Sequence, residues 1–320
     1  MTTLARVDGI SDRTLNRLIR YGALALAVML AAFVAIYYRG QHVDSGPSLS
    51  ERQIDSAEQS VRQAPQNVAA RLSLAATYLK DGRPGDALTQ YEEILRAVPG
   101  NRAATLGAGT AKMQNGDLDG AVRMFTAVVS GTKNVEFSNV DPQLQSAYYW
   151  LGSIAAQRGN YDAAVTNIRA SLKVDNSDAD AWYLLGTLQT KQGDPKGAVA
   201  SIQRAIAFVP TGWCEPYTAL GDAYTAMKAP ELADYAGAMV DFCSKNTDSA
   251  TKRLSGLTRG PASLEAMLGL GLIAETQSDR TTAISWYRKV LVADSTNATA
   301  RTALSRLDAA GATPVPTKAS

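Results

Sequence analysis

Residues 178–210 read DADAWYLLGTLQTKQGDPKGAVASIQRAIAFVP, and this stretch decides the fold. GDPKG at 193–197 is a turn signal that closes two short helices, so the segment reads as a helical hairpin. Gly186 stands twelve residues before Ala198, one small residue on each side of the turn. Two antiparallel helices that cross closely need glycine or alanine at the contact, with bulkier apolar groups in the adjoining layers. Outward from this segment the pattern recurs, as Ala75/Ala87, Gly109/Ala121, Gly152/Ala164, Gly221/Ala233 and Gly271/Ala283. Between each pair lie turn signals such as DGRPGD at 81–86, NGDLDG at 115–120 and GNYD at 159–162. One hairpin cannot bury its own apolar face, so successive copies must stack to complete a core.

Trp182, Leu185, Gly186, Gly193, Ala198, Ile202, Ala205 and Pro210 fall where the tetratricopeptide repeat carries its signature residues, and residues 68 to 297 resemble that family. The resemblance implies an all-α, right-handed superhelical solenoid over 48–310. It would comprise six recognisable repeats, a leading half-repeat at 48–64 and a capping helix at 298–310. Two intervals between copies are long. They place extra residues at 130–142 and 246–262, the second with room for a short helix. GATPVPTKAS at 311–320 reads as a disordered tail.

The N-terminal part has a different character. YGALALAVMLAAFVAIYY at 21–38 carries no charge, and as a helix it spans about 27 Å, enough to cross a bilayer. Tyr21, Tyr37 and Tyr38 mark its ends at the headgroup level. Arg6, Arg13, Arg17 and Arg20 precede it, and Arg39 and Arg52 follow, so residues 1–20 are expected on the cytoplasmic side. Residues 39–47 form a linker. The reading is therefore a single-pass membrane protein, bacterial inner membrane by its layout, with the repeats extracytoplasmic. A cleaved signal peptide is the rival, opposed by the length of the apolar run and the lack of an A-x-A-like site after it.

The chain has 320 residues, 46% hydrophobic and 19% charged, with net charge +2. Five arginines against Asp8 and Asp12 in residues 1–39 leave the remainder at −1, so the body lacks the basic footprint of a nucleic-acid binder. His42, in the linker beside Asp44, is the sole histidine. Neither catalytic nor phosphate-binding motifs occur, so no enzyme, cofactor, metal or small-molecule substrate is expected. Cys214 and Cys243 stand at the start of one hairpin's first helix and just beyond the end of its second, ends that antiparallel helices bring together. In an oxidising compartment a disulfide there would contribute about 3–4 kcal/mol by loop entropy. Two buried thiols are the alternative.

What remains is binding. In the resembled family, defined positions of each first helix line a concave groove. Here they carry Tyr149, Ser153 and Gln157, then Tyr183, Thr187 and Lys191, then Asp222. The lysine and asparagine by which some members grip a terminal carboxylate are absent, so the tyrosines point to an extended or helical peptide with apolar side chains. Packing between helices is the other role they can fill. The functional expectation is a membrane-anchored scaffold holding a protein or peptide partner for assembly of a membrane or envelope complex. The layout resembles ancillary factors of the secretion translocon and of cytochrome c assembly. The alternative is an extracytoplasmic chaperone for exported unfolded chains.

Overall fold

The structure, a computed structural model, describes residues 12–41, 48–132 and 140–311. Among these residues there are sixteen helices and no strand. Outside them fall Arg6, the side chains of Arg13 and Arg17, His42 and Asp44 with the linker at 42–47, residues 133–139 of the first insertion, and the tail after Gly311. The chain divides into two compact units between Ser60 and Val61, inside the helix expected to lead the stack.

The first unit contains α1 (Asp12–Gln41) and most of α2 (Leu49–Gln63). Its apolar run, Ile19–Tyr38, is wholly unburied and long enough to cross a membrane, a property common to anchors and signal sequences. A capping box opens α2: the Ser48 N–H donates to Glu51 Oε2 at 2.6 Å, and the Glu51 N–H donates to Ser48 Oγ at 3.1 Å.

The second unit is a stack of helical hairpins. These are α3/α4 (Val68–Lys80, Pro84–Ala97), α5/α6 (Arg102–Gln114, Leu118–Thr132), α7/α8 (Pro142–Gln157, Tyr161–Val174) and α9/α10 (Ala179–Lys191, Pro195–Phe208). They continue with α11/α12 (Glu215–Ala226, Pro230–Cys243) and α14/α15 (Ser263–Thr276, Arg280–Ala293). The second insertion forms α13 (Thr247–Gly256), and α16 (Ala298–Gly311) caps the end with Ala300, Ala303 and Leu307 buried against α15. Each helix packs on the next, and first helices also touch the first helix of the following hairpin from α3 through α11.

Local chemistry sets the boundaries. Asn67, Asn101, Asp141 and Asp178 cap α3, α5, α7 and α9; Asp117, Asn160, Asp194 and Asp279 cap α6, α8, α10 and α15. Each side-chain oxygen accepts from backbone N–H groups that the helix leaves free. In the first four hairpins the turn is made by Gly82, Gly116, Gly159 and Gly193 in the left-handed region. Lys228 and Ser278 take the same conformation in the last two, at φ 58° and 62°.

The small-residue contact forms as the spacing requires at four hairpins. A Cβ on Gly109, Gly152, Gly186 or Gly271 would lie 2.5–2.6 Å from Phe125, Ile168, Ile202 or Tyr287 respectively, the residue four beyond the paired alanine. At α11/α12 the register differs from expectation. Ala233 is only partly buried, and Ala236 is the buried residue facing Gly221. The difference coincides with α13: Arg253 runs against Gly237, where a Cβ would sit 2.6 Å from its Nη2. Arg253 hydrogen-bonds Asp234 and, at 2.8 Å, Asp241, so the extra helix claims the face where other hairpins place Ile, Phe or Tyr.

Candidate functional site

The expected groove residues lie on the first helices. Tyr149, Ser153 and Gln157 are spaced by four on α7, as are Tyr183, Thr187 and Lys191 on α9, so each trio shares a helix face. On α11 the corresponding face carries Glu215, Thr218 and Asp222, all exposed. Gln157, Lys191 and Asp222 are exposed, whereas Tyr149, Ser153, Tyr183 and Thr187 are half-buried.

The two tyrosines differ. Tyr149 packs on the apolar cluster of α8 and α9 that includes Ile168, Leu185 and Leu188, and its ring meets Trp150 edge-on at 5.1 Å. It therefore serves the contact between repeats as well as the face. Tyr183 instead meets Trp213, with centroids 5.1 Å apart and planes at 68°. Trp213 lies in the loop between α10 and α11, outside the repeating helices, so the repeat frame does not place it. Its signals were local: a Thr-Gly turn before it and a cysteine after it.

Carboxylates on one first helix act on the tyrosine of the first helix before it. Burial raises the Tyr183 phenol above its ordinary value, and the carboxylates of Glu215 and Asp222 on α11 raise it further. Tyr149 is raised by burial, then by Asp180 and Asp178 of α9. Thr187 donates to the Leu184 carbonyl at 2.8 Å, satisfying its hydroxyl within its own helix. The Lys191 ammonium lies 5.8 Å from the Tyr161 ring centroid, toward α8. Cys214 is the N-cap of α11, and Cys243 is the last residue of α12 rather than a position beyond it. Their sulfurs are bonded, with Cα atoms 5.5 Å apart. A shallow cleft at Gln66, Val68, Arg71, Glu93 and Arg96 shares no residue with the face. Among the described residues, no three His, Cys, Asp or Glu side chains are arranged to hold a metal ion.

A family model described as tetratricopeptide repeat matches residues 54–102, 72–132, 106–166, 149–212 and 246–298, more than half of the chain. The unmatched 213–245 is the α11/α12 hairpin, where the register departs and the disulfide lies. No curated protein is a significant match. Among solved structures, MamA is 21% identical over 55% of this chain and 96% of its own, with a TM-score of 0.48. A chain of the APC/C hetero-tetramer Cut9–Hcn1 is 18% identical over 81% of this chain and 46% of its own, with a TM-score of 0.50. YrrB, described as a TPR protein with an unusual peptide-binding site, is 14% identical over 62% of this chain and 97% of its own, with a TM-score of 0.48.

Proposed function

The chain belongs to the tetratricopeptide-repeat family, whose fold scaffolds protein–protein contacts, and from that premise we propose a membrane-anchored adaptor that holds a protein or peptide partner on the first-helix face. In this reading α1 is an uncleaved anchor, the repeats lie on the extracytoplasmic side, and the bound partner is a subunit of a membrane or envelope complex. The observation that carries the binding part is the half-exposed Tyr183–Trp213 pair on a face continued by Thr187 and Asp222, with aromatic surface available to a partner. The exposed Ile19–Tyr38 run supports the anchor, and the Cys214–Cys243 bond fits an oxidising compartment.

A photo-crosslinking residue placed at Tyr183 in intact membranes tests the proposal. One partner captured in stoichiometric yield, and lost on Tyr183→Ala at unchanged melting temperature, is the expected result. Many substoichiometric clients would favour the chaperone alternative. No adduct from this position, with adducts from an exposed second-helix position such as Glu92, would rule out this face.

A further inference from the structure

Trp213 is held in place from several directions. Gly212, at φ 80°, turns the chain just before it, and Cys214, just after it, is bonded to the end of α12. The Tyr217 hydroxyl donates to the Pro210 carbonyl at 2.9 Å, closing the other end of the loop. The backbone on both sides of Trp213 is thereby constrained, and its ring rests edge-on against Tyr183.

The charged residues nearest this pair along α9 and α11 are acidic. Asp180 lies one turn before Tyr183 on α9, and Glu215 and Asp222 lie on the facing helix α11; all three are exposed. Among the described residues none of them enters an ion pair or hydrogen bond, whereas Asp141, Asp234, Asp241 and Glu275 are each matched to an arginine. The cation on the same face of α9 is Lys191, two turns beyond Tyr183 and directed toward Tyr161. An anionic segment laid here meets repulsion, and a purely apolar one covers carboxylates without pairing them. An arginine or lysine gains twice, from the aromatic rings and from the carboxylates.

We propose that the face formed by Tyr183, Trp213, Glu215, Thr218 and Asp222 docks a basic segment of a partner protein, with an arginine or lysine seated against the Tyr183–Trp213 pair. The proposal deepens the adaptor reading and rests on it. Its specificity is local to α9 and α11, and the Cys214–Cys243 bond acts as its positioning element.

The test uses the full chain in detergent and two labelled synthetic peptides of equal length and leucine content, one with arginines and the other with glutamates in their place, followed by fluorescence anisotropy. The arginine peptide should bind, and E215Q/D222N or Trp213→Ala should each weaken it by about tenfold. The control E92Q/D308N, with the same change in charge at exposed positions elsewhere, should leave it unchanged. Equal binding of both peptides, no binding of the arginine peptide, or an equal loss in the control overturns the proposal. Because E215Q/D222N alters only exposed side chains, the test survives any misfolding of the tryptophan variant. If the glutamate peptide alone binds and is lost on Tyr183→Ala, the adaptor face stands and its basic specificity falls. If Tyr183→Ala affects neither peptide, both readings fall.

Discussion

Gly186 and Gly221 hold the same place in the repeated pattern, yet adding a methyl group has opposite consequences at the two. A Cβ at Gly186 would lie 2.5 Å from Cγ1 of Ile202 and 3.1 Å from the Ala198 carbonyl, and Ile202 is fully buried with no room to retreat. Gly186→Ala should therefore cost about 1–3 kcal/mol through overpacking. At Gly221 the nearest atom is the Ala236 Cβ at 3.5 Å, an ordinary contact. Gly221→Ala should be neutral, or stabilising by about 0.5–1 kcal/mol, because alanine gives up less freedom in a helix. Urea denaturation of both variants checks the contrast, and equal losses would show that α12 packs on α11 as the other hairpins do. The spacing reveals both glycines as contact residues. It conceals the slip from Ala233 to Ala236, which coincides with Arg253 of α13, a helix outside the repeating frame.

At the scale of elements, α11/α12 is the hairpin with the fewest local supports. Neither helix has a side-chain cap, and the turn between them uses Lys228 at φ 58° where four other hairpins have glycine. The Cys214–Cys243 bond supplies covalently what capping and turn chemistry supply elsewhere. By loop entropy the bond contributes about 3–4 kcal/mol. Cys214→Ser/Cys243→Ser should lose that amount in denaturant unfolding, with hydrogen exchange accelerating first in residues 215–243. A loss below about 1 kcal/mol would show that packing alone holds the hairpin. The hairpins themselves were legible because glycine, alanine and turn residues recur where close helix crossing demands them. The face was legible only in part. Tyr149, Tyr183 and Asp222 were expected from the first-helix positions that the resembled family uses, but Trp213 reaches the face from a connecting loop, and no repeat position places a loop residue in space.

For the stack as a whole, stability is approximately the sum of each repeat and its contacts with its neighbours, so a bond between successive first helices adds directly to one of those interfaces. Two such bonds recur: Arg102 of α5 donates to the cap of α7, Asp141, at 2.6 Å, and Gln145 of α7 donates to the cap of α9, Asp178. The first spans the longer connection between α6 and α7. Burial raises the Asp141 carboxyl, but hydrogen bonds from Arg102 and the Leu144 and Gln143 N–H groups, together with the Arg102 charge, outweigh it and hold the group below its usual range. A carboxyl lowered in the folded state stabilises above its unfolded value, near 4, and loses that contribution as pH falls through the folded one. Asp141→Asn keeps an oxygen to cap α7 and removes only the charge. It leaves Arg102, whose Nε is buried without a partner among the described residues, as an unmatched cation. The variant should be less stable by about 1–2 kcal/mol at pH 7. The gap to the unaltered protein should close below about pH 4, as the native carboxyl takes up its proton. Unfolding free energies measured from pH 7 to pH 3 decide the matter. A gap that stays constant across that range would show that ionisation of Asp141 contributes nothing, and the coupling between the second and third repeats would then rest on packing rather than on the ion pair.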